Sequence, residues 1–109
     1  MKLVIAIVQD NDVLELIDAI TEAGFRVTKL ASTGGFLKAG NTTLIIGVEE
    51  EKVQAVINVV EETCKIRKQI INTPTPITGN IDMCISYPIE IEVGGATIFV
   101  IDVDKFIKI

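Results

Sequence analysis

The sequence predicts an α+β fold whose elements follow the order β-α-β-β-α-β, the split β-α-β or ferredoxin-like arrangement. Three observations predict it: an apolar opening run at residues 3–8, helical periodicity at residues 13–20 and 53–64, and short strand-like runs between and after the helices. We expect residues 1–109 to form a single domain. Both helices should cover one face of an antiparallel sheet, so other subunits are the natural cover for the second face.

The opening run LVIAIV, residues 3–8, is continuously apolar, as expected for a strand that is covered on both faces. The four residues that follow, QDND, supply an N-cap for a helix. The apolar stripe of this helix recurs at i, i+3, i+4 and i+7 and consists of Val13, Leu16, Ile17 and Ile20. Gly24 closes the helix at its C-terminal end.

The segment FRVTKLAS, residues 25–32, alternates between apolar and polar residues and predicts the second strand. Phe25 and Val27 should point to one face and Arg26 and Thr28 to the other, because side chains alternate across the pleat. Arg26 and Thr28 therefore project together from the strand and offer a guanidinium fork and a hydroxyl to a ligand.

The run TTLIIGV predicts the third strand at residues 42–48, and the second helix follows it. Acidic residues 49–51 stand at the predicted start of this helix and three basic residues stand at its predicted end, so both groups complement the helix dipole. The basic residues are Lys65, Arg67 and Lys68. The predicted buried stripe consists of Val53, Val56, Ile57, Val60 and Cys64.

Residues 69–88 contain all three prolines and little periodicity, which predicts a long connection. A connection of this length without regular structure is usually functional or disordered. The final run IEIEVGGATIFVIDV, residues 89–103, predicts two strands joined by the two-residue turn Gly94-Gly95, a C-terminal β-hairpin extension.

The composition excludes several function classes. The chain is 49% hydrophobic but only 5% aromatic, and its mean hydropathy of +0.48 favours burial of apolar surface between subunits. A net charge of −5 argues against nucleic-acid binding. The chain has no His, and its two cysteines form no CxxC motif, so we expect no metal site and two reduced, buried thiols. The opening apolar run is too short for a membrane span and predicts a cytoplasmic protein.

The stretch STGGFLKAGN, residues 32–41, carries one aromatic ring in a loop of small residues. It is neither a Walker A loop nor a Rossmann fingerprint. Gly34 and Gly35 nevertheless let backbone N–H groups approach an anion, Phe36 offers a flat face, and Asn41 can donate and accept hydrogen bonds. With Arg26, these groups are typical of a nucleotide site. The alternative is a plain hairpin loop with Phe36 folded onto the core and Arg26 solvated.

The run FRVTKLASTGGFLKAGNTTLIIGV resembles the PII-like cyclic-di-AMP receptors, and so do the opening MKLVIAIVQD and the later YPIEIEVGGATIFV. The resemblance covers essentially the whole chain. It implies a homotrimer with the PII fold that binds cyclic di-AMP in clefts between subunits, with no further cofactor. The loop after the second strand corresponds to the T-loop of PII proteins, and residues 69–88 correspond to an enlarged B-loop.

The same resemblance implies seven ligand contacts, which are Arg26, Thr28, Gly35, Phe36, Leu37, Asn41 and Gly47. Arg26 and Thr28 would lie against base and ribose-phosphate, the Gly35 backbone would meet phosphate, and Phe36 and Leu37 would sandwich an adenine. Asn41 would hydrogen-bond the ligand and Gly47 would allow close backbone approach. The chain departs from the family pattern at Gly24, where some relatives have a polar residue, and at Lys108, where a Gln contacts the base.

Three functions remain open on the sequence. The first is a non-catalytic second-messenger sensor with an unknown downstream protein partner. The second is an enzyme, which is disfavoured because no nucleophile–base pair or metal cluster is visible. The third is a structural or protein-interaction trimer of ferredoxin-like fold, or an amino-acid-binding regulatory domain. Turnover assays would identify an enzyme, and melting shifts across a nucleotide panel would separate the first function from the third.

Overall fold

The computed structural model describes residues 1–30, 40–76 and 84–109. Its helices and strands are, in chain order, β1 (Lys2–Gln9), α1 (Asp10–Glu22), β2 (Thr28–Leu30), β3 (Asn41–Val48), α2 (Val53–Cys64), β4 (Arg67–Pro76), β5 (Cys84–Val93) and β6 (Ala96–Asp102). A short 3-10 turn, Glu50–Lys52, precedes α2. The described part of the chain is α+β, with two α-helices and antiparallel sheets, as the sequence predicts.

Four strands form the main sheet in the order β2-β3-β1-β6, with every neighbouring pair antiparallel. β3 therefore lies between β1 and β2, which is the split β-α-β arrangement, and β6 serves as the fourth strand. The second strand starts later than predicted, at Thr28 rather than at residue 25, and residues 31 and 32 of the predicted strand lie outside the described residues. The predicted alternation is nevertheless confirmed, since Phe25 and Val27 pack against the core while Arg26 and Thr28 are exposed.

The two helices cover one face of the main sheet. Every second residue of β1 and β3 points towards them and is buried, and the apolar stripes of α1 and α2 pack onto these residues. The buried core contains Val4, Ala6, Val8, Val13, Leu16, Ile20, Leu44, Ile46, Val48, Val56, Val60 and Cys64. The helical periodicity thus identified the fully buried apolar side chains of both helices. In α2, however, the predicted Ile57 lines a cavity instead, and Val59, which was not predicted, packs against the core.

The opposite face of the main sheet, here called the outer face, is apolar and carries no helix in the described part of the chain. Ile5 of β1 is paired with Ile45 of β3 on one side and with Phe99 of β6 on the other. Phe99 is 52% exposed and Ile101, which lies opposite Leu3, is 47% exposed. A single chain therefore leaves a row of large apolar side chains in contact with water.

β4 and β5 form a separate two-stranded sheet, here called the arm. Their pairing runs from Arg67 opposite Val93 to Pro76 opposite Cys84. The prediction of an irregular connection over residues 69–88 is therefore wrong for residues 69–76 and 84–88. Proline is tolerated here because each strand of a two-stranded sheet has a free edge, where a missing N–H donor leaves no ladder bond unmade.

The predicted C-terminal hairpin is also wrong. β5 pairs with β4 and β6 pairs with β1, so the strands on either side of Gly94-Gly95 belong to different sheets. Both glycines have positive φ, +92° and +89°. That conformation suits a hairpin turn, but here it redirects the chain from the arm to the main sheet. The arm is thus an insertion between α2 and the fourth strand of the main sheet.

The end of α2 differs from the prediction as well. The helix stops at Cys64, and Lys65 adopts extended backbone as the C-cap residue. Arg67 and Lys68 belong to β4, so only Lys65 lies beside the helix end. The guanidinium of Arg67 pairs instead with the carboxylate of Asp12 in the first turn of α1.

Three contacts fix the base of the arm. Nη2 and Nη1 of Arg67 donate to the two carboxylate oxygens of the buried Asp12 at 2.6 and 3.5 Å. The amide of Gly94 donates to Oε1 of Gln9 at 2.8 Å, and the amide of Gly95 donates to the carbonyl of Cys64. A Cβ on Gly94 would lie 2.5 Å from the carbonyl oxygen of Lys65, so this close approach requires glycine.

Candidate functional site

A cavity of about 510 Å³ opens at one end of the outer face. The residues that line it come from the starts of β1 and β2, the end of β3, and the tail that follows β6. They are Met1, Leu3, Arg26, Thr28, Ile45, Gly47, Val103, Phe106 and Lys108. The volume falls in the range of about 300–1,000 Å³ that is common for small-molecule sites.

Strand pairing places the polar residues of this cavity. Thr28 lies opposite Ile45, and Gly47 follows two residues further along β3 on the same face. Leu3 of β1 lies opposite Gly47 on the other side. Arg26, two residues before Thr28, therefore reaches the same end of the sheet, because residues two apart in an extended chain share a face.

The tail after β6 supplies the remaining wall. Its start is held by the amide of Val103, which donates to the carbonyl of Met1 at 3.2 Å. The ammonium of Lys2 also pairs with the carboxylate of Asp102. Beyond these contacts the tail has no regular secondary structure, and alternate residues, Phe106 and Lys108, line the cavity.

Gly47 keeps this cavity open. A Cβ built on Gly47 would meet no atom within 4 Å, and its φ lies outside the left-handed region. The fold therefore does not require glycine at this position of β3. What the missing side chain provides is free space between Leu3 and the tail.

The electrostatics of the cavity favour an anion with an apolar part. The cavity is lined by two basic side chains, Arg26 and Lys108, and no carboxylate is among its described lining residues. This is a local concentration of positive charge in a chain whose net charge is −5. Apolar side chains and the ring of Phe106 make up most of the remaining wall, so phosphate and base could both find partners there.

Three of the seven predicted contact residues, Arg26, Thr28 and Gly47, meet in this cavity. Asn41 does not, since it lies opposite Gln9 at the other end of β3 and lines a second, more polar cavity of about 270 Å³ with Gly94 and Thr97. The remaining three, Gly35, Phe36 and Leu37, lie outside the described residues.

The sequence reasoning missed several lining residues. Phe106 was not singled out, although it is the one aromatic residue in the terminal run DKFIKI and could have been flagged on that ground. Lys108 was noted only as a departure from the family pattern. Met1, Leu3, Ile45 and Val103 carry no local signal that separates them from other apolar strand residues, because only strand pairing brings them together.

A third cavity, of about 310 Å³, lies at the C-terminal end of α2 beside Cys64 and Ile98. It is apolar, and Cys64 itself is buried. Burial raises the pKa of the Cys64 thiol to about 11, and the negative charge of Asp12 acts in the same direction. The thiol therefore stays protonated near neutral pH and is a poor nucleophile.

Two structural features, a metal-ligating cluster and a membrane-spanning helix, are absent from the described ranges 1–30, 40–76 and 84–109. No group of three or more His, Cys, Asp or Glu side chains there is arranged to hold a metal ion. None of the helices described has the length and apolar character needed to cross a membrane.

Comparison with known proteins identifies the family of this chain. The family described as cyclic-di-AMP receptor matches residues 1–109. Among solved structures, the crystal structure of a functionally unknown protein from Pediococcus pentosaceus ATCC 25745 is similar, with 44% sequence identity and a TM-score of 0.78. The match covers 99% of this chain and 96% of that chain. Because the family match spans the full sequence, the chain belongs to the cyclic-di-AMP receptor family.

Proposed function

We propose that this chain is a non-catalytic, cytoplasmic signal-transduction protein that binds cyclic di-AMP in clefts between the subunits of a homotrimer. The observation that carries the proposal is the meeting of Arg26, Thr28 and Gly47 in one cavity with a basic and an aromatic neighbour. Membership of the cyclic-di-AMP receptor family supports the identity of the ligand.

The chemistry of the cavity suits one half of the dinucleotide. The Arg26 guanidinium can donate two parallel hydrogen bonds to a phosphate or to a base edge, and the Thr28 hydroxyl can donate or accept. Gly47 lets the ligand approach the backbone of β3, where no side chain occupies the space. Apolar lining residues exclude water around the base.

The position of Asn41 supports a site shared between subunits. Asn41 and Gly47 are six residues apart on β3, which corresponds to about 20 Å along an extended strand. Asn41 of a neighbouring subunit could reach a ligand held by Arg26 and Gly47 more readily than Asn41 of the same subunit. The proposed contacts Gly35, Phe36 and Leu37 precede Asn41 closely in the chain and would enter from the same neighbour.

The outer face supplies a surface for the trimer. Its apolar side chains are open to water in the single chain, and an exposed apolar sheet face usually marks a protein contact. The cavity lies at the end of this face, because Leu3, Ile45 and Gly47 belong to both. Trimer formation across the outer face would therefore bring a second subunit next to the cavity.

The proposed output is a change of order in two segments on ligand binding, residues 33–41 and part of 69–88, which an unidentified partner protein would read. Hydrogen exchange with and without cyclic di-AMP tests this step. Increased protection of residues 33–41 with ligand is the expected result, and equal protection in both states would contradict it.

Calorimetry tests the function itself. Cyclic di-AMP should bind once per subunit, three times per trimer, and more tightly than ATP. No binding of cyclic di-AMP together with clear binding of ATP would overturn the assignment. Light scattering on the same sample gives the oligomeric state without ligand, and a monomer across micromolar concentrations would contradict the trimer.

A further inference from the structure

Phe106 has no structural role that the described contacts explain. Its side chain is 64% exposed and belongs to a tail without regular secondary structure. It contributes nothing to the buried core between the sheet and the helices. It does line the 510 Å³ cavity, together with Thr28, the first residue of β2, and Arg26, two residues earlier.

The neighbouring tail residues sharpen this observation. Ile107 is exposed to a similar extent, 68%, yet does not line the cavity. Lys108, one residue further, lines it again. The tail residues that line the cavity are therefore Val103, near the start of the tail, and then Phe106 and Lys108, whose side chains carry a ring and an ammonium group. The aliphatic residue between these two, Ile107, does not line it.

We propose that Phe106 is a base-stacking residue of the cyclic-di-AMP site, with its ring lying against one adenine; this inference rests on the proposed function. A flat π surface beside an apolar wall is the partner that a purine prefers, and base–aromatic stacking does not depend on the hydrogen-bonding edge of the base. Stacking on Phe106 therefore favours purines in general, while the polar groups around the ring would select adenine over other purines.

This role also assigns a purpose to the tail. The tail is fixed at its start by Val103 and Asp102, and beyond them Phe106 and Lys108 line the cavity rather than join the core. Stacking on Phe106 would close the cavity over the base. Lys108, on the same side of the tail, would then lie near the phosphates.

The test compares variants at two adjacent and equally exposed positions. Phe106→Ala should weaken cyclic di-AMP binding by about 5- to 150-fold, the equivalent of one lost base–aromatic stack. Phe106→Tyr should restore affinity to within about threefold of the wild type, because the ring is retained. Ile107→Ala is the matched control and should bind like the wild type. Calorimetry gives the affinities.

A second readout reports the stack directly. Ring currents from Phe106 should shift the NMR signals of one adenine upfield in the complex with wild-type protein. The shift should persist in Phe106→Tyr and disappear in Phe106→Leu, which keeps an apolar side chain without a ring. An identical adenine shift in Phe106→Leu would overturn the proposal.

The possible outcomes distinguish a failure of the stacking role of Phe106 from a failure of the proposed cyclic-di-AMP binding. If the wild type binds cyclic di-AMP and Phe106→Ala binds as tightly as Ile107→Ala, Phe106 does not stack and the proposed function stands. If the wild type does not bind, the proposed function fails first. If Phe106→Ala changes the mass measured by light scattering while Ile107→Ala does not, Phe106 is a subunit contact and the proposal is wrong.

Discussion

Gly47 illustrates how a single residue can serve a ligand rather than the fold. Glycine inside a strand costs about 0.5–1 kcal/mol relative to alanine, because it loses more conformational freedom on folding. The fold does not require glycine at this position, because a Cβ on Gly47 would meet no atom within 4 Å and its φ is not left-handed. The missing side chain leaves free volume in the cavity that Leu3 and Phe106 also line, and this volume is available to a ligand.

Replacement of Gly47 should therefore separate stability from binding. Gly47→Ala should leave the free energy of unfolding unchanged or raise it by about 0.5–1 kcal/mol, while the new methyl group enters the cavity and weakens cyclic di-AMP binding. Urea unfolding and calorimetry measure the two effects. A loss of stability in Gly47→Ala would show that the strand needs glycine after all.

Arg26→Ala should weaken ligand binding without unfolding the protein. Arg26 is exposed and lines the cavity, and loss of a charge-assisted hydrogen bond costs about 1.5–3 kcal/mol of binding free energy. Lys29→Ala is the matched control, because it removes one positive charge from the neighbouring strand β2 but does not line the cavity. Equal effects of the two variants in calorimetry would mean that only net charge matters.

Cys64 should make stability fall at high pH. Its folded pKa of about 11 lies above the ordinary value of 9.0, because burial disfavours the thiolate. Between pH 9 and pH 11 the unfolded chain releases the thiol proton of Cys64, whereas the folded chain retains it. The contribution of Cys64 to the free energy of unfolding is therefore complete below pH 9 and is lost as pH rises from 9 through 11. Cys64→Ala should show a shallower loss of stability over that range. Parallel curves for the two proteins would contradict the assignment.

Among the secondary-structure elements, the arm and α1 are joined by the ion pair between Arg67 and Asp12, whose two side chains differ in exposure to water. Asp12 is 1% exposed, whereas Arg67 is 43% exposed. Removal of the arginine leaves a buried carboxylate without its cation. Removal of the carboxylate leaves an arginine that can still reach water and the carbonyl of Lys65, to which it already donates at 3.2 Å.

The two single variants should therefore differ in cost. Arg67→Met should destabilise the protein more than Asp12→Asn does, because it leaves the buried carboxylate of Asp12 without its cation. Asp12→Asn should cost only about 1 kcal/mol, because the amide oxygen can still accept from Arg67. The double variant should recover part of the loss, as a double-mutant cycle in urea would reveal. Equal single costs would contradict the asymmetry.

The elements that could be predicted from sequence are those with a strong local period. Both helices and the strands at residues 3–8 and 42–48 follow from apolar spacing, and the side-by-side placement of Arg26 and Thr28 follows from alternation. The arm was missed because its prolines argue against strands. Gly94-Gly95 was misassigned because turn chemistry cannot say that β6 pairs with β1. Phe106 reaches the cavity only through that same long-range pairing.

The whole molecule is elongated. Its radius of gyration is 18.7 Å and its extents are 65 × 27 × 19 Å, whereas a compact domain of this length has a radius of gyration of about 13 Å. Each arm strand has ten residues, or about 33 Å of extended chain. The arm strands pair with each other rather than with the main sheet, and Phe99 and Ile101 of the outer face stay exposed in the single chain. The outer face is therefore free to contact other subunits.

A charge on the outer face should dissociate the proposed trimer. Phe99→Glu places a carboxylate among Ile5 and Ile101, where subunit contact would have to bury it without a partner. Light scattering should show a shift from three subunits of 11.8 kDa towards one. Leu14→Glu is the control, since Leu14 is 77% exposed on α1, away from this face. Identical masses for both variants would place the interface elsewhere.

The hydrogen bond from the Gly95 amide to the Cys64 carbonyl means that the chain returns to the point from which the arm departs. Residues 66–94 could then be excised and the gap closed with a short bridge, provided that Asp12→Asn removes the carboxylate left behind. No described residue of the arm lines the cavity that holds Arg26 and Thr28. The shortened chain would keep Arg26, Thr28 and Gly47 around their cavity, although it would lose Gly94 beside Asn41. Arms from relatives could be transplanted onto this main sheet to give receptors that share these cavity residues but bind different partner proteins.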